Sequence, residues 1–190
     1  MSRRYATRRP QVRIIGGKWK GRKLGVAGSS IRPTPDRARE TLFNWLGAEL
    51  PGARVLDLFA GTGALGFEAL SRGADHATFV DSDGDAIDHL LTARTRFDAA
   101  GTVIEHADAM QWLASQSSDQ RWDVVFLDPP FDSPLLATAV AAAAGHLSEG
   151  GTIYAESDEG FDWEGSAAAS GLGIWRNSRA GAVRYGLLRS

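Results

Sequence analysis

Val55-Leu56-Asp57-Leu58-Phe59-Ala60-Gly61-Thr62-Gly63-Ala64-Leu65-Gly66 runs from an apolar strand into a glycine loop and then into a helical stretch. Glycine lets the backbone turn tightly and without hindrance. Backbone N–H groups at such a helix start can receive a ligand's polar or anionic end, for instance the carboxylate of an amino acid. Gly61, Gly63 and Gly66 satisfy the spacing G-x-G-x-x-G, and Asp81 follows at the distance where an acid accepts ribose hydroxyls. Alone, this motif does not choose between NAD and another adenosine cofactor.

Outward from the loop, strand and helix patterns alternate as in a doubly wound parallel sheet. The pattern predicts strands over Arg54 to Phe59, His76 to Asp81, Thr102 to His106, Trp122 to Leu127 and Gly151 to Glu156. Helices are predicted over Ala64 to Arg72, Asp85 to Asp98, Asp108 to Gln116 and Leu135 to Leu147, the last containing the alanine run around Ala139 to Ala144. The chain closes differently. Leu172 to Trp175 and Ala182 to Leu188, joined by Arg176-Asn177-Ser178-Arg179-Ala180-Gly181, read as a hairpin that places one antiparallel strand in the sheet.

Two acids in this frame point to chemistry. Asp57 lies inside the strand before the loop, where an anion would face a dinucleotide's pyrophosphate unfavourably and a cationic ligand would tolerate it. A strand-end carboxylate bonded to loop N–H groups is an equally good structural role, and one residue can fill both. The second acid ends Val124-Val125-Phe126-Leu127 and opens Asp128-Pro129-Pro130-Phe131. A carboxylate can accept one hydrogen bond from an exocyclic NH2, the stiffened prolines present a carbonyl for the second, and Phe131 can stack on a flat ring. A buried strand followed by a proline turn is the plainer alternative.

The pattern D-x-F-A-G-T-G resembles the cofactor loop of class I methyltransferases, which bind S-adenosylmethionine, a ligand with an ammonium, a sulfonium and no phosphate. The predicted element order likewise resembles their Rossmann-like α/β fold, a seven-stranded, mostly parallel sheet with one antiparallel strand and helices on both faces.

The 190 residues suit one compact domain, and 43% hydrophobic residues are ample for its core. No apolar run approaches the roughly 18 to 20 residues of a membrane span, and Arg-rich polar sequence runs straight into Val12-Arg13-Ile14-Ile15 without a signal region. A cytoplasmic protein is expected. There are no cysteines, and His76, His89, His106 and His146 show no metal-ligand spacing, so no metal site is expected. Lack of cysteine also removes the usual nucleophile of enzymes that methylate a pyrimidine carbon through a covalent adduct, so methyl transfer here would be direct.

The net charge of -2 conceals an asymmetry. Residues 1 to 40 hold 12 of the 21 Lys and Arg against Asp36 and Glu40 alone, so this segment is basic and the remainder acidic. Such a segment is a footprint for a polyanion. Gly16-Gly17 with Lys18, Lys20, Arg22 and Lys23, interleaved with Trp19, reads as a basic hairpin after a tail. Next, Thr34-Pro35-Asp36 is a good helix start, and Leu42, Phe43, Leu46 and Leu50 form an apolar stripe. The expected division is a basic arm over 1–32 and a catalytic domain over 33–190.

In order, Arg13-Ile14-Ile15-Gly16-Gly17, Arg32-Pro33-Thr34 through Trp45-Leu46, Asp57 to Gly66, Asp81 and Phe126 to Phe131 closely resemble the RsmD-type bacterial enzymes that methylate guanine N2 in 16S ribosomal RNA. The Gly-Gly basic hairpin and the Arg-Pro-Thr helix are the narrow part of that signature. Asp-Pro-Pro-Phe is shared with other amino-group methyltransferases, adenine N6 enzymes included. Where relatives often carry Glu, this chain has Asp81; either acid can accept both ribose hydroxyls. The resemblance implies S-adenosylmethionine as cofactor, guanine 966 as target, and 16S rRNA as partner, either naked or in a partly assembled small subunit. It also lays Thr34, Arg37 and Phe59 beside the cofactor with Asp57, Gly61, Gly63 and Asp81. Asp108 takes the cofactor's adenine amino group, although its sequence context alone reads as a helix N-cap.

Asp128, Pro129, Pro130 and Phe131 then carry catalysis, while Arg13, Lys18, Lys20, Arg22 and Lys23 hold RNA. Arg179 and Arg184 are candidates for phosphate contacts or ordinary surface arginines. Rival readings are an adenine N6 or other amino-group nucleic-acid methyltransferase, an NAD-dependent oxidoreductase, and a catalytically idle RNA-binding protein on the same fold.

Overall fold

The computed structural model describes residues 11–25, 36–130 and 135–190. Seven strands form one sheet: β3 (Arg54–Asp57), β4 (His76–Asp81), β5 (Thr102–His106), β6 (Trp122–Leu127), β7 (Leu147–Ser157), β8 (Gly173–Ala180) and β9 (Val183–Arg189). Their order is β5-β4-β3-β6-β7-β9-β8. The first five pair in parallel, and β9 runs antiparallel to both β7 and β8. β3 and β6 sit centrally as near-continuous apolar runs, as strands covered on both faces must be.

On one face lie α1 (Asp36–Leu46), α2 (Ala64–Ser71) and α3 (Gly84–Phe97); on the other lie α4 (Ala109–Ala114), α5 (Leu135–Ala144) and α6 (Trp163–Ala169). The apolar stripe of α1 crosses the sheet through Phe43 on Phe126, with ring centroids 6.0 Å apart, and through Trp45 on Tyr185 at 5.8 Å. Among the described residues no helix is long and apolar enough to cross a membrane.

The basic segment forms a separate two-stranded sheet, β1 (Val12–Arg13) with β2 (Lys23–Leu24). It is seated on the body, because Val12, Ile14, Trp19 and Leu24 belong to the same buried cluster as Phe67 and Phe79. Trp19 stacks on Phe97 with centroids 5.0 Å apart. Polar contacts fix the turn. The fully buried Glu68 carboxylate on α2 accepts the Ile15 N–H at 2.6 Å, the Gly16 N–H at 2.7 Å and Arg72 Nε at 2.7 Å. Ser71 Oγ accepts the Trp19 N–H at 2.9 Å and donates to the Gly16 carbonyl at 2.6 Å. Gly17 has φ 71°, and a Cβ there would overlap the Ser71 carbonyl, so no other residue fits this turn as it stands.

Several boundaries differ from expectation. The first core strand stops at Asp57; the Leu58 N–H still donates to the Phe126 carbonyl at 3.2 Å, and the chain turns into the glycine loop after it. α5 ends at Ala144, and Leu147 is already paired with Trp122, so β7 is longer than the predicted Gly151 to Glu156. The expected loop Arg176 to Gly181 is mostly strand: β8 runs to Ala180 and the turn shrinks to Gly181-Ala182. β8 is an exposed edge, and its polar residues imitate a loop. The sequence pattern does not predict α6, which Asp162 caps by accepting the Gly165 N–H at 2.9 Å.

Candidate active site

The carboxyl ends of β3, β4, β6 and β7 converge on one mouth, where open α/β sheets bind ligands. Gly63 begins α2 in the left-handed region with φ 71°, and a Cβ there would strike Leu90 and Phe67. Asp57, 3% exposed, accepts the Gly66 N–H at 3.0 Å. Burial pushes its carboxyl up from 3.8 to about 7; the Gly66 bond opposes this and the nearby Asp81 charge adds to it. Asp81, half-buried at the end of β4, accepts the Gly61 N–H at 2.7 Å and the Asp83 N–H at 2.9 Å. It therefore holds the glycine loop and still has lone pairs for a ligand.

Asp108 is exposed and caps α4, accepting the Gln111 N–H at 2.9 Å, so the N-cap reading describes its contact. The Ala107 N–H donates to the Asp81 carbonyl at 3.0 Å, which ties the Asp108 turn to the end of β4. Phe59 is half-buried against the second core cluster. Arg37 is exposed in the first turn of α1. Thr34 and Phe131 lie outside the described residues.

Asp128 follows β6 directly, with Pro129 buried and Pro130 exposed. Although part of Asp128 reaches solvent, its carboxyl sits deep enough that burial, then the charges of Glu156 and Asp57, holds it well above the usual carboxylate range. Beside it opens a cavity of about 240 Å³ lined by Pro129, Pro130, Leu136, Glu156, Ser157 and Phe161, among others. Among the described residues no group of three or more His, Cys, Asp or Glu could hold a metal ion.

The arm's cations Arg13, Lys18, Lys20, Arg22 and Lys23 are all exposed. Lys18 Nζ lies 4.5 Å from the centroid of Trp19, and Arg22 packs 4.9 Å from that of Phe97. Arg179 pairs with Glu159 at 3.3 Å, and Arg184 pairs with Glu164 at 3.1 Å while lying 5.1 Å from the centroid of Trp163.

Pattern reading missed Glu156, Tyr154 and Arg39. Glu156, 2% exposed, lies one strand over from Asp128, and its Oε1 accepts the Tyr154 hydroxyl at 2.6 Å. A signal existed: Glu156 ends the run Thr152-Ile153-Tyr154-Ala155 as Asp128 ends Val124 to Leu127. Arg39, 1% exposed on α1, pairs with Asp36 at 2.6 Å and is one helical turn from Phe43. Nothing in a helix stripe marks an arginine as inward-facing.

The family model described as Conserved hypothetical protein 95 matches residues 12–189. Ribosomal RNA small subunit methyltransferase D of Escherichia coli (strain K12) is 43% identical over 151 residues, 78% of this chain and 75% of that protein. Its namesake from Haemophilus influenzae is 39% identical over 156 residues, 78% of this chain and 80% of that one. A solved structure, a putative methyltransferase yhhF from Escherichia coli, superposes with a TM-score of 0.82 at 38% identity, covering 95% of this chain and 98% of that chain. With relatives this similar aligned over so much of both chains, the protein belongs to the ribosomal RNA small subunit methyltransferase D family.

Proposed function

We propose that this protein methylates the exocyclic amino group of a guanine in small-subunit ribosomal RNA, with S-adenosylmethionine as methyl donor and guanine 966 as the target position. The observation that carries the reading is the Asp128-Pro129 strand end set beside the buried Asp57 and its glycine loop. The donor set suits a cationic ligand. A positive group beside Asp57 offsets the burial that raises its carboxyl, whereas a dinucleotide's pyrophosphate would add like charge there. When bound, S-adenosylmethionine supplies a methyl group activated by a sulfonium.

The chain's residues do the rest. Asp81 accepts ribose hydroxyls while keeping Gly61 in place, Asp108 accepts from the adenine amino group, and Thr34, Arg37, Phe59 and Gly63 border the same ligand. Asp128 and the Pro129 carbonyl accept the two N–H bonds of the target amino group, orienting its nitrogen and stabilising the positive charge that forms on it. Phe131 stacks on a base swung out of an RNA loop. Arg13, Lys18, Lys20, Arg22 and Lys23 engage phosphates. A cytoplasmic site of action accompanies an rRNA substrate.

The test is tritiated methyl transfer to naked 16S rRNA and to a partly assembled small subunit, with digestion and mass spectrometry of the labelled nucleoside. N2-methylguanosine is expected. N6-methyladenosine would keep the Asp-Pro-Pro-Phe mechanism and overturn the target, and a 5-methylpyrimidine would refute direct transfer to nitrogen. Asp128→Ala should retain S-adenosylhomocysteine affinity and lose at least about a hundredfold in transfer, since deleting one such preorganised contact costs roughly 2.7 to 4 kcal/mol.

A further inference from the structure

The register of the sheet sets two acids side by side. Phe126 pairs with Tyr154 and Leu127 with Ala155, so the next step along both strands brings Asp128 and Glu156 to adjacent strand ends. Side chains alternate along a strand, so Asp128 and Glu156 share the face of Phe126 and Tyr154, the face that α1 covers. Glu156 is held there. Its Oε1 takes the Tyr154 hydroxyl at 2.6 Å, and burial together with the Glu156 charge keeps that phenol protonated and able to donate. Other groups turned to this face are Asp57 on β3, Tyr185 on β9, opposite Glu156 in register, and Arg39 with its partner Asp36 on α1.

We propose that Glu156 is a positioning residue for methyl transfer, which through its fixed charge makes Asp128 the acceptor of the proton released by the target amino group. The inference rests on the proposed function for the identity of that group. In the transfer the amino nitrogen forms a bond to the methyl carbon as the carbon–sulfur bond breaks, its electron pair staying on sulfur. The nitrogen then gives up one proton, keeping the N–H electron pair, and a lone pair of the Asp128 carboxylate forms the new O–H bond. Water at the mouth could take that proton, but a carboxylate already bonded to the N–H and beside a second negative charge binds it more strongly. Glu156 need not touch the substrate. Tyr154 anchors it, so that its charge stays against Asp128 instead of rotating toward solvent.

Two measurements on the full chain separate this idea from the function it builds on. Carboxyl carbon NMR of the unliganded protein follows the titration of Asp128 in the unmodified protein and in Glu156→Gln. The titration should move to lower pH in the variant, and an unmoved titration would overturn the proposal whatever the RNA product is. Single-turnover transfer with saturating cofactor and RNA, measured against pH, should show the acid limb moving to lower pH in Glu156→Gln, with N2-methylguanosine still the product. A uniform loss of rate with the limb in place would mark Glu156 as merely structural and refute the role. Should Glu156→Gln fail to fold, Tyr154→Phe serves instead. Without its hydroxyl donor the Glu156 carboxylate is held less firmly beside Asp128, so the same limb should move the same way by a smaller amount, and no movement counts against the proposal.

Discussion

Asp57→Asn should make the empty protein more stable at neutral and alkaline pH while damaging it as an enzyme. A carboxyl raised from 3.8 to about 7 binds its proton more tightly in the folded than in the unfolded chain. Its contribution to stability is therefore complete below about pH 4 and is lost as pH rises through about 7. Three pH units of displacement correspond to roughly 4 kcal/mol, of which about 3 kcal/mol disappears between pH 5 and pH 8. Asparagine keeps an oxygen for the Gly66 N–H and never ionises, so it escapes that loss. Urea unfolding of both proteins at pH 5 and pH 8 measures this directly, and the stability advantage of the variant should grow by about 3 kcal/mol across the interval. Calorimetry with S-adenosylmethionine supplies the opposing half. The unmodified protein should bind more weakly as pH falls below about 7 and release a proton on binding, while the variant binds weakly at every pH. A stability difference that is the same at both pH values would refute the reasoning.

Asp81→Ala should weaken S-adenosylhomocysteine binding by roughly 1.5 to 3 kcal/mol in calorimetry, because it removes a charged acceptor and frees the Gly61 N–H as well. Unchanged affinity would exclude the ribose role. Gly17→Ala puts a methyl group into the Ser71 carbonyl and should lower the melting temperature and expose the arm to protease, with cofactor affinity largely kept. Reversing Lys18, Lys20 and Lys23 to glutamate should weaken RNA binding and flatten its dependence on salt. A salt slope equal to that of the unmodified protein would remove the arm from the RNA interface.

Much of this fold was legible because its signals are local. An apolar run followed by a glycine loop announces β3 and α2, and the spacing to Asp81 needs no tertiary information. The succession of strands and helices followed from alternation, and one antiparallel strand from the closing hairpin, whereas the order of the strands across the sheet appears only in the structure. What stayed hidden depends on register. That Glu156 stands beside Asp128 is a fact about two strands nearly thirty residues apart, visible only once Leu127 is paired with Ala155. Arg39 turns inward because α1 rolls Phe43 onto Phe126, which a stripe of apolar residues does not specify for the charged positions beside it. The arm was readable as a basic hairpin, whereas its attachment through Glu68 was not, since a glutamate within a helix ordinarily reads as solvent-facing.

That attachment makes α2 a caliper. Its first turn follows Gly63 at the glycine loop, and its last residue, Ser71, grips the backbone of the arm at Gly16 and Trp19. Eight helical residues span about 12 Å and do not stretch. In the proposed reading, the distance between the phosphates that the arm grips and the methyl group to be delivered is thus set by a rigid rod shared by both sites. An RNA seated on the arm is already indexed to the donor, and target choice becomes partly a matter of length, met only by a base that lies at the right reach from its own backbone.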